Sequence, residues 1–205
     1  MSGSFSTTGE AGVLAPDSPS SGAGSVMTGP FKGGPIPPAA CTSYCSAVDG
    51  VCTTYPQYKS DAACETTCGV LSAATLTGKD TIACRQMYAA IAATPDTTTA
   101  ANPKPSGGQV PNCWPAGPFA YALCGDECEA FCAIAVTVCP NAYSDSATCR
   151  MACGDFLQIP AGDGAYTTSG PTDGNNLACR EYYLMASLAD QTNCAYTMAR
   201  SAMCK

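Results

Sequence analysis

The chain has 205 residues, of which sixteen are cysteine, nine are Lys or Arg, sixteen are Asp or Glu and none is His. The missing imidazole excludes Ser-His-Asp and Cys-His catalysis in their usual forms, histidine-containing zinc sites and attachment of a c-type haem. A net charge of −7 argues against nucleic acid and anionic lipid as partners, because both recruit proteins through basic surfaces.

Sixteen cysteines form an even set dense enough for a disulfide scaffold, which implies an oxidising compartment, outside the cell or in its envelope or periplasm. Charged residues are only 12% of the chain, about half the usual share. Most of the surface must therefore be Ser, Thr, Gly, Asn and Ala. The longest strongly apolar stretch, Ala130 to Val138, is far shorter than the ~20 residues of a membrane-spanning helix. No charged-then-apolar leader opens the sequence, so an export signal or lipid anchor would have been processed or would lie upstream.

Residues 1–40 contain no cysteine, and more than half of them are Gly, Pro or Ser, as in Gly29 to Pro38. This tail cannot bury enough apolar area to offset the roughly 1–2 kcal/mol of backbone entropy per ordered residue. It is expected to be irregular unless it lies against a neighbouring molecule.

From Cys41 onward the chain repeats. Cys41, Cys45, Cys52, Cys64, Cys68, Cys84, Cys113 and Cys124 are answered by Cys128, Cys132, Cys139, Cys149, Cys153, Cys179, Cys194 and Cys204. The short spacings match and the long ones float. Tyr44 answers Phe131, Tyr58 answers Tyr143, Arg85 answers Arg180 and Tyr88 answers Tyr183. Two modules follow, residues 41–124 and 125–205, each so small that a hydrophobic core alone contributes little net stability.

In each module the first three cysteines share one helical face. Ser60 or Asp61 can cap a second helix carrying Cys64 and Cys68, as Asp145 or Ser146 can for Cys149 and Cys153, and Gly69 and Gly154 stand where those helices would stop. Across an antiparallel hairpin, facing residues have constant index sums. The pairs Cys41 with Cys68 and Cys45 with Cys64 satisfy this, as do Cys128 with Cys153 and Cys132 with Cys149. These four are expected bridges.

The twin CxxxC hairpins resemble those of coiled-coil-helix-coiled-coil-helix proteins and small translocase chaperones, over Cys41–Cys68 and Cys128–Cys153. The tandem arrangement resembles cysteine-rich modules of exported bacterial surface proteins and lipoproteins. The first resemblance implies a fold element; the second implies life at the cell surface.

A third helix in each module begins at Ala-Cys-Arg, with Tyr88 and Ile91, like Tyr183 and Ala186, on the face of the preceding cysteine. A fourth is expected over Phe119–Cys124 and Ala195–Cys204. Antiparallel packing of these last two helices would pair Cys84 with Cys124 and Cys179 with Cys204, leaving Cys52 with Cys113 and Cys139 with Cys194, although spacing alone does not determine connectivity. Thr94 to Pro111 reads as a flexible insertion in the first copy; its counterpart in the second is short, and there Gly154 to Asn176 is long instead. The expected class is all-α: two disulfide-stapled modules, each a helical hairpin plus two further helices, behind an irregular tail.

Candidate chemistry is sparse. Asp126, Glu127 and Glu129 are where a carboxylate-based glycoside hydrolase would be sought, although acids also suit a helix start. The CxxxC pairs have zinc-like spacing, but matched sets without neighbouring bases favour disulfides. Asp163, Asp173, Asn175 and Asn176 supply oxygens without the pattern of a calcium loop. Arg85 and Arg180 are surface or packing arginines, or buried partners of a carboxylate or carbonyl. Trp114 is core filler or a binding anchor. No cofactor or metal is expected. The expected role is that of a non-catalytic structural or interaction protein, with a protein partner that includes copies of itself through residues 1–40. A secreted inhibitor exposing Asn112 to Phe119, or another ligand-binding module, is the alternative.

Overall fold

The computed structural model describes residues 39–74, 76, 78, 80–93, 111–156 and 165–205. The expected tail lies outside these residues except for Ala39 and Ala40, which already belong to the first helix. Most of the Thr94–Pro111 insertion also lies outside them, as does the middle of the Gly154–Asn176 segment. The described residues fold into helices without a strand, so the chain is all-α.

Helix α1, Ala39–Val51, buries Cys41, Tyr44, Cys45 and Val48, and α2, Asp61–Ala73, buries Cys64, Thr67, Cys68 and Leu71. Both stripes follow the i, i+3, i+4, i+7 rhythm of one helical face. The Ser60 hydroxyl caps α2 by accepting from the Ala63 N–H at 3.2 Å. Disulfides Cys41–Cys68 and Cys45–Cys64 tie the two stripes together, with Cα atoms 5.6 and 5.8 Å apart. Glycine 69 does not end α2, which continues so that Leu71 reaches the core; a glycine stops a helix only when it turns left-handed, and Gly69 does not.

The second hairpin repeats the device. Helix α5, Glu127–Val138, is capped by Asp126, and α6, Ser146–Gly154, by Asp145, whose carboxylate accepts from the Thr148 N–H at 2.8 Å. Disulfides Cys128–Cys153 and Cys132–Cys149 close it, with Cα separations of 5.7 and 5.6 Å. The aromatic positions that answer one another, Tyr44, Tyr58, Phe131 and Tyr143, are all buried.

The third helices are α3, Ile82–Ala93, and α7, Leu177–Ala186, the latter capped by Asn176, which accepts from the Cys179 N–H at 2.8 Å. On α3 the inward face is Arg85, Ala89 and Ala92, one residue round from the expected one, and Ile91 is 42% exposed. The buried arginine sets that rotation.

The fourth helices are absent. Module 1 has instead the one-turn α4, Cys113–Ala116, followed by a short turn in which Ala120, Tyr121 and Ala122 lie at φ 60°, 45° and 55°. Module 2 has a 3-10 turn, Gln191–Tyr196, and then irregular chain to Lys205. The reason is the same in both. Arg85, with no exposed surface, donates to the carbonyls of Gly117 and Pro118, each at 3.1 Å, and pairs with Asp80. Arg180, equally buried, donates to the carbonyls of Asn176, Met198, Ala199 and Cys204 and to Asn175 Oδ1, while its guanidinium sits 3.9 Å from the Phe156 ring. A helix over Phe119–Cys124 would draw the Pro118 carbonyl into its first turn and one over Ala195–Cys204 would draw in those of Met198 and Ala199, so each guanidinium would lose acceptors that it has now.

The remaining bridges are Cys52–Cys113, Cys84–Cys124, Cys139–Cys194 and Cys179–Cys204, so all sixteen cysteines are paired. Each module's bridges stay within that module, yet the hydrophobic core runs continuously from one to the other. Helix α2 packs on α5, and Phe119 of module 1 meets Phe131 and Tyr166 of module 2 at 6.5 and 5.1 Å between ring centroids. The two repeats are thus halves of one body.

Candidate functional site

A cleft lies where the repeats meet, lined by Gln57 from the α1–α2 connection, Trp114 of α4, Tyr121 of the left-handed turn and, from module 2, Glu127, Tyr166 and Glu181. It encloses about 220 Å³ including its open mouth, and an adjoining hollow of about 280 Å³ shares Tyr121, Glu127, Tyr166 and Glu181 with it; inside, each has room for roughly one or two water-sized groups.

Each wall has a local cause. Asp126 caps α5, so Glu127 falls in the first helical turn and points away from the capping interaction. Glu181 follows the buried Arg180 on α7 and is only 4% exposed. The Tyr166 hydroxyl donates to the Gln57 backbone carbonyl at 3.1 Å, and the Thr168 N–H donates to the Pro56 carbonyl at 3.3 Å, which holds the pre-α7 segment against module 1. Tyr121, in its left-handed conformation, rests 4.9 Å from Trp114; each such non-glycine residue costs roughly 1–2 kcal/mol.

Two polar atoms lining this cleft have no hydrogen-bond partner, Trp114 Nε1 and Glu181 Oε1. Burial pushes the Glu181 carboxyl well above its ordinary range, and the nearby Glu127 charge adds to the effect. Glu127 is pushed up to about 7, first by burial and then by Asp126. Burial likewise raises the Tyr166 phenol, with Glu181 contributing.

The folded chain keeps these carboxyl protons after the unfolded chain has released them. Stability from the pair is therefore complete below the ordinary glutamate value of 4.5 and declines as pH rises through about 7. Asp49, raised to about 6 by burial and its contact with Asp61, acts in the same direction. The thermal midpoint is expected to fall across that window and to fall less in a Glu127→Gln/Glu181→Gln variant. A midpoint that rises, or an equal slope in both proteins, contradicts the assignment.

The acidic cluster seen in the sequence is divided among three tasks. Asp126 caps α5, Glu129 meets Arg150 at 3.4 Å, and only Glu127 enters the cleft. Its companion, Glu181, was not a candidate; the available signal is an acid in a helix that is otherwise almost wholly buried, at the position where module 1 has Gln86. Asp163 lies outside the described residues. Asp173 is exposed, whereas Asn175 accepts from Arg180 and Asn176 caps α7, so the two asparagines serve module architecture. The Asn112–Phe119 stretch is no exposed inhibitory loop: Cys113 through Phe119 are buried. Trp114, 5% exposed, is both core and cleft wall. Among the described residues no group of three or more metal-ligating side chains assembles, and no helix is long and apolar enough to cross a membrane.

Comparison with known proteins gives no match, whether by family model, by curated sequence or by solved structure.

Proposed function

We propose that the protein is a non-catalytic structural or interaction component of an extracellular or cell-envelope assembly. The observation that carries this reading is the complete pairing of sixteen cysteines into eight bridges, a chemistry that persists in oxidising surroundings. The fold is stapled helix to helix, and the inter-repeat cleft is far smaller than the ~300–1,000 Å³ common for small-molecule sites once the open mouth is discounted. Such a body acts through its surface. The tandem-module resemblance to exported bacterial surface proteins agrees with it.

In this reading the tail that precedes α1, residues 1–38, rich in Gly, Pro and Ser, lies along a neighbouring copy of the chain. Removing residues 1–38 leaves α1 whole and is expected to convert an assembled protein into monomers by light scattering. A monomeric full-length chain, or assembly that survives the deletion, contradicts it.

The second reading, a ligand-binding module, is favoured by the paired carboxyls of the inter-repeat cleft. A glycoside hydrolase built on Glu127 and Glu181 is disfavoured because a sugar ring does not fit between them in a space of water size.

A further inference from the structure

The three most buried carboxylates of the described residues are Asp80, Glu129 and Glu181, at 2%, 7% and 4% exposure. Asp80 has Arg85 and Glu129 has Arg150. Among the described residues Glu181 has no cation, and its Oε1 has no hydrogen-bond partner. The residues around it bring a second carboxyl, Glu127, and aromatic rings from Trp114, Tyr121 and Tyr166, with no Lys or Arg among them. A buried carboxyl without a partner is costly, and the cost falls when a cation enters.

We propose that the inter-repeat cleft is a receptor for a primary ammonium group, held between the Glu127 and Glu181 carboxylates and against the rings of Trp114 and Tyr166. The assignment names the partner chemistry for the interaction reading above and rests on the cleft itself.

Size selects the group. The interior admits roughly one or two water-sized groups, which suits an –NH3+ head and rejects a guanidinium, a trimethylammonium or a sugar ring. Charge and hydrogen bonding agree, because an ammonium is three donors with no acceptor and the cleft offers carboxylate oxygens in want of a donor. An ionised carboxylate has about four acceptor positions, so Glu181 can take the ammonium and still serve another donor such as the Trp114 N–H. Aromatic faces add their attraction for a cation. A calcium or magnesium ion fits less well, since two carboxylates fall short of the roughly six to eight oxygens those ions collect.

Entry of the cation draws the remaining proton from the pair, so binding releases protons and strengthens as pH rises. The titratable groups facing the pair are Asp126 beside Glu127, Tyr121 and Tyr166 in the cleft wall, and Tyr182 next to Glu181 in the chain; Lys59 stays outside, its Nζ 4.6 Å over the Tyr182 ring.

Trp114 is the only tryptophan in the chain, so its fluorescence reports on the cleft directly. The full chain is titrated above pH 7 with methylammonium chloride, against sodium chloride and tetramethylammonium chloride at equal ionic strength. A saturable change with methylammonium alone is expected, weakened about tenfold or more in Glu181→Gln and in Glu127→Gln, each checked for unchanged helical circular dichroism. Nα-acetyl-lysine methylamide separates the sources: tighter binding than methylammonium identifies a lysine side chain of a protein partner, and binding of methylammonium alone identifies a free amine. An equal response to sodium or tetramethylammonium, no saturation, or unaltered affinity in both glutamine variants overturns the proposal. That outcome is distinct from failure of the tail deletion, which reads assembly and not the cleft.

Discussion

Reduction of the eight disulfides is expected to unfold the protein at room temperature. The bridges close sequence separations from 17 residues, at Cys132–Cys149, to 61, at Cys52–Cys113. On the chain-entropy view each loop of this size contributes roughly 3–4 kcal/mol. The total is less than a simple sum, because Cys45–Cys64 is nested inside Cys41–Cys68 and shares its loop. Even so, losing all eight exceeds the ~5–15 kcal/mol net stability of an ordinary domain. Helical circular dichroism should collapse in a reductant strong enough to reach buried sulfur. Replacing only Cys45 and Cys64 by serine should cost about 3 kcal/mol and leave the fold intact. A reduced protein with an unchanged thermal midpoint would place the stability in the core instead.

Replacing Arg85 by methionine is the second change of large effect. The side chain is fully buried, pairs with Asp80 and donates to the carbonyls of Gly117 and Pro118. Removing one partner of such a pair costs roughly 3–5 kcal/mol, because the other is left buried and unpaired. Burial already pushes the Asp80 carboxyl up while the Arg85 cation pulls it down, so without the arginine Asp80 takes up a proton. Asp80→Asn in the methionine background should therefore recover part of the loss. Arg180→Met has no acid to strand, and its cost comes from carbonyls, Asn175 and the Phe156 contact. Denaturant midpoints of the four proteins test this; a loss below about 1 kcal/mol for Arg85→Met, in the range of a surface pair, contradicts it.

These two arginines also mark where sequence reasoning reaches its limit. Cysteines four apart on a helix, with constant index sums across a hairpin, are a local geometric signal, and the four hairpin bridges lie on the pairs that signal selects. The same rhythm places Tyr44, Val48, Thr67 and Leu71 in the core. The terminal segments obey a non-local rule. Phe119–Cys124 has helical composition, but its neighbours' carbonyls are claimed by Arg85 from 32 and 33 residues away. No local propensity encodes that competition. The rotation of α3, which leaves Ile91 outside, follows from the same buried side chain.

The cleft was half legible. Glu127 stood in an evident acidic cluster, whereas Glu181 looked like an ordinary helix residue beside Arg180. Fifty-four positions separate them in the chain; the packing of α7 on α5 brings them together, and the pre-α7 segment held on the Pro56–Gln57 turn adds the wall from module 1. Trp114 illustrates the same point, because its flanking prolines say nothing about which wall it forms.

The central claim is that covalent bridges confined to each repeat clamp the helices of one shared body. Peptide mapping of the unreduced protein after denaturation and alkylation tests it most directly. The account predicts no alkylated cysteine before reduction, sixteen after it, and linked peptides for Cys41–Cys68, Cys45–Cys64, Cys52–Cys113, Cys84–Cys124 and their four counterparts from Cys128 onward. Free thiols in the native molecule, bound zinc in stoichiometric amount, or a bridge joining the first eight cysteines to the last eight would contradict it.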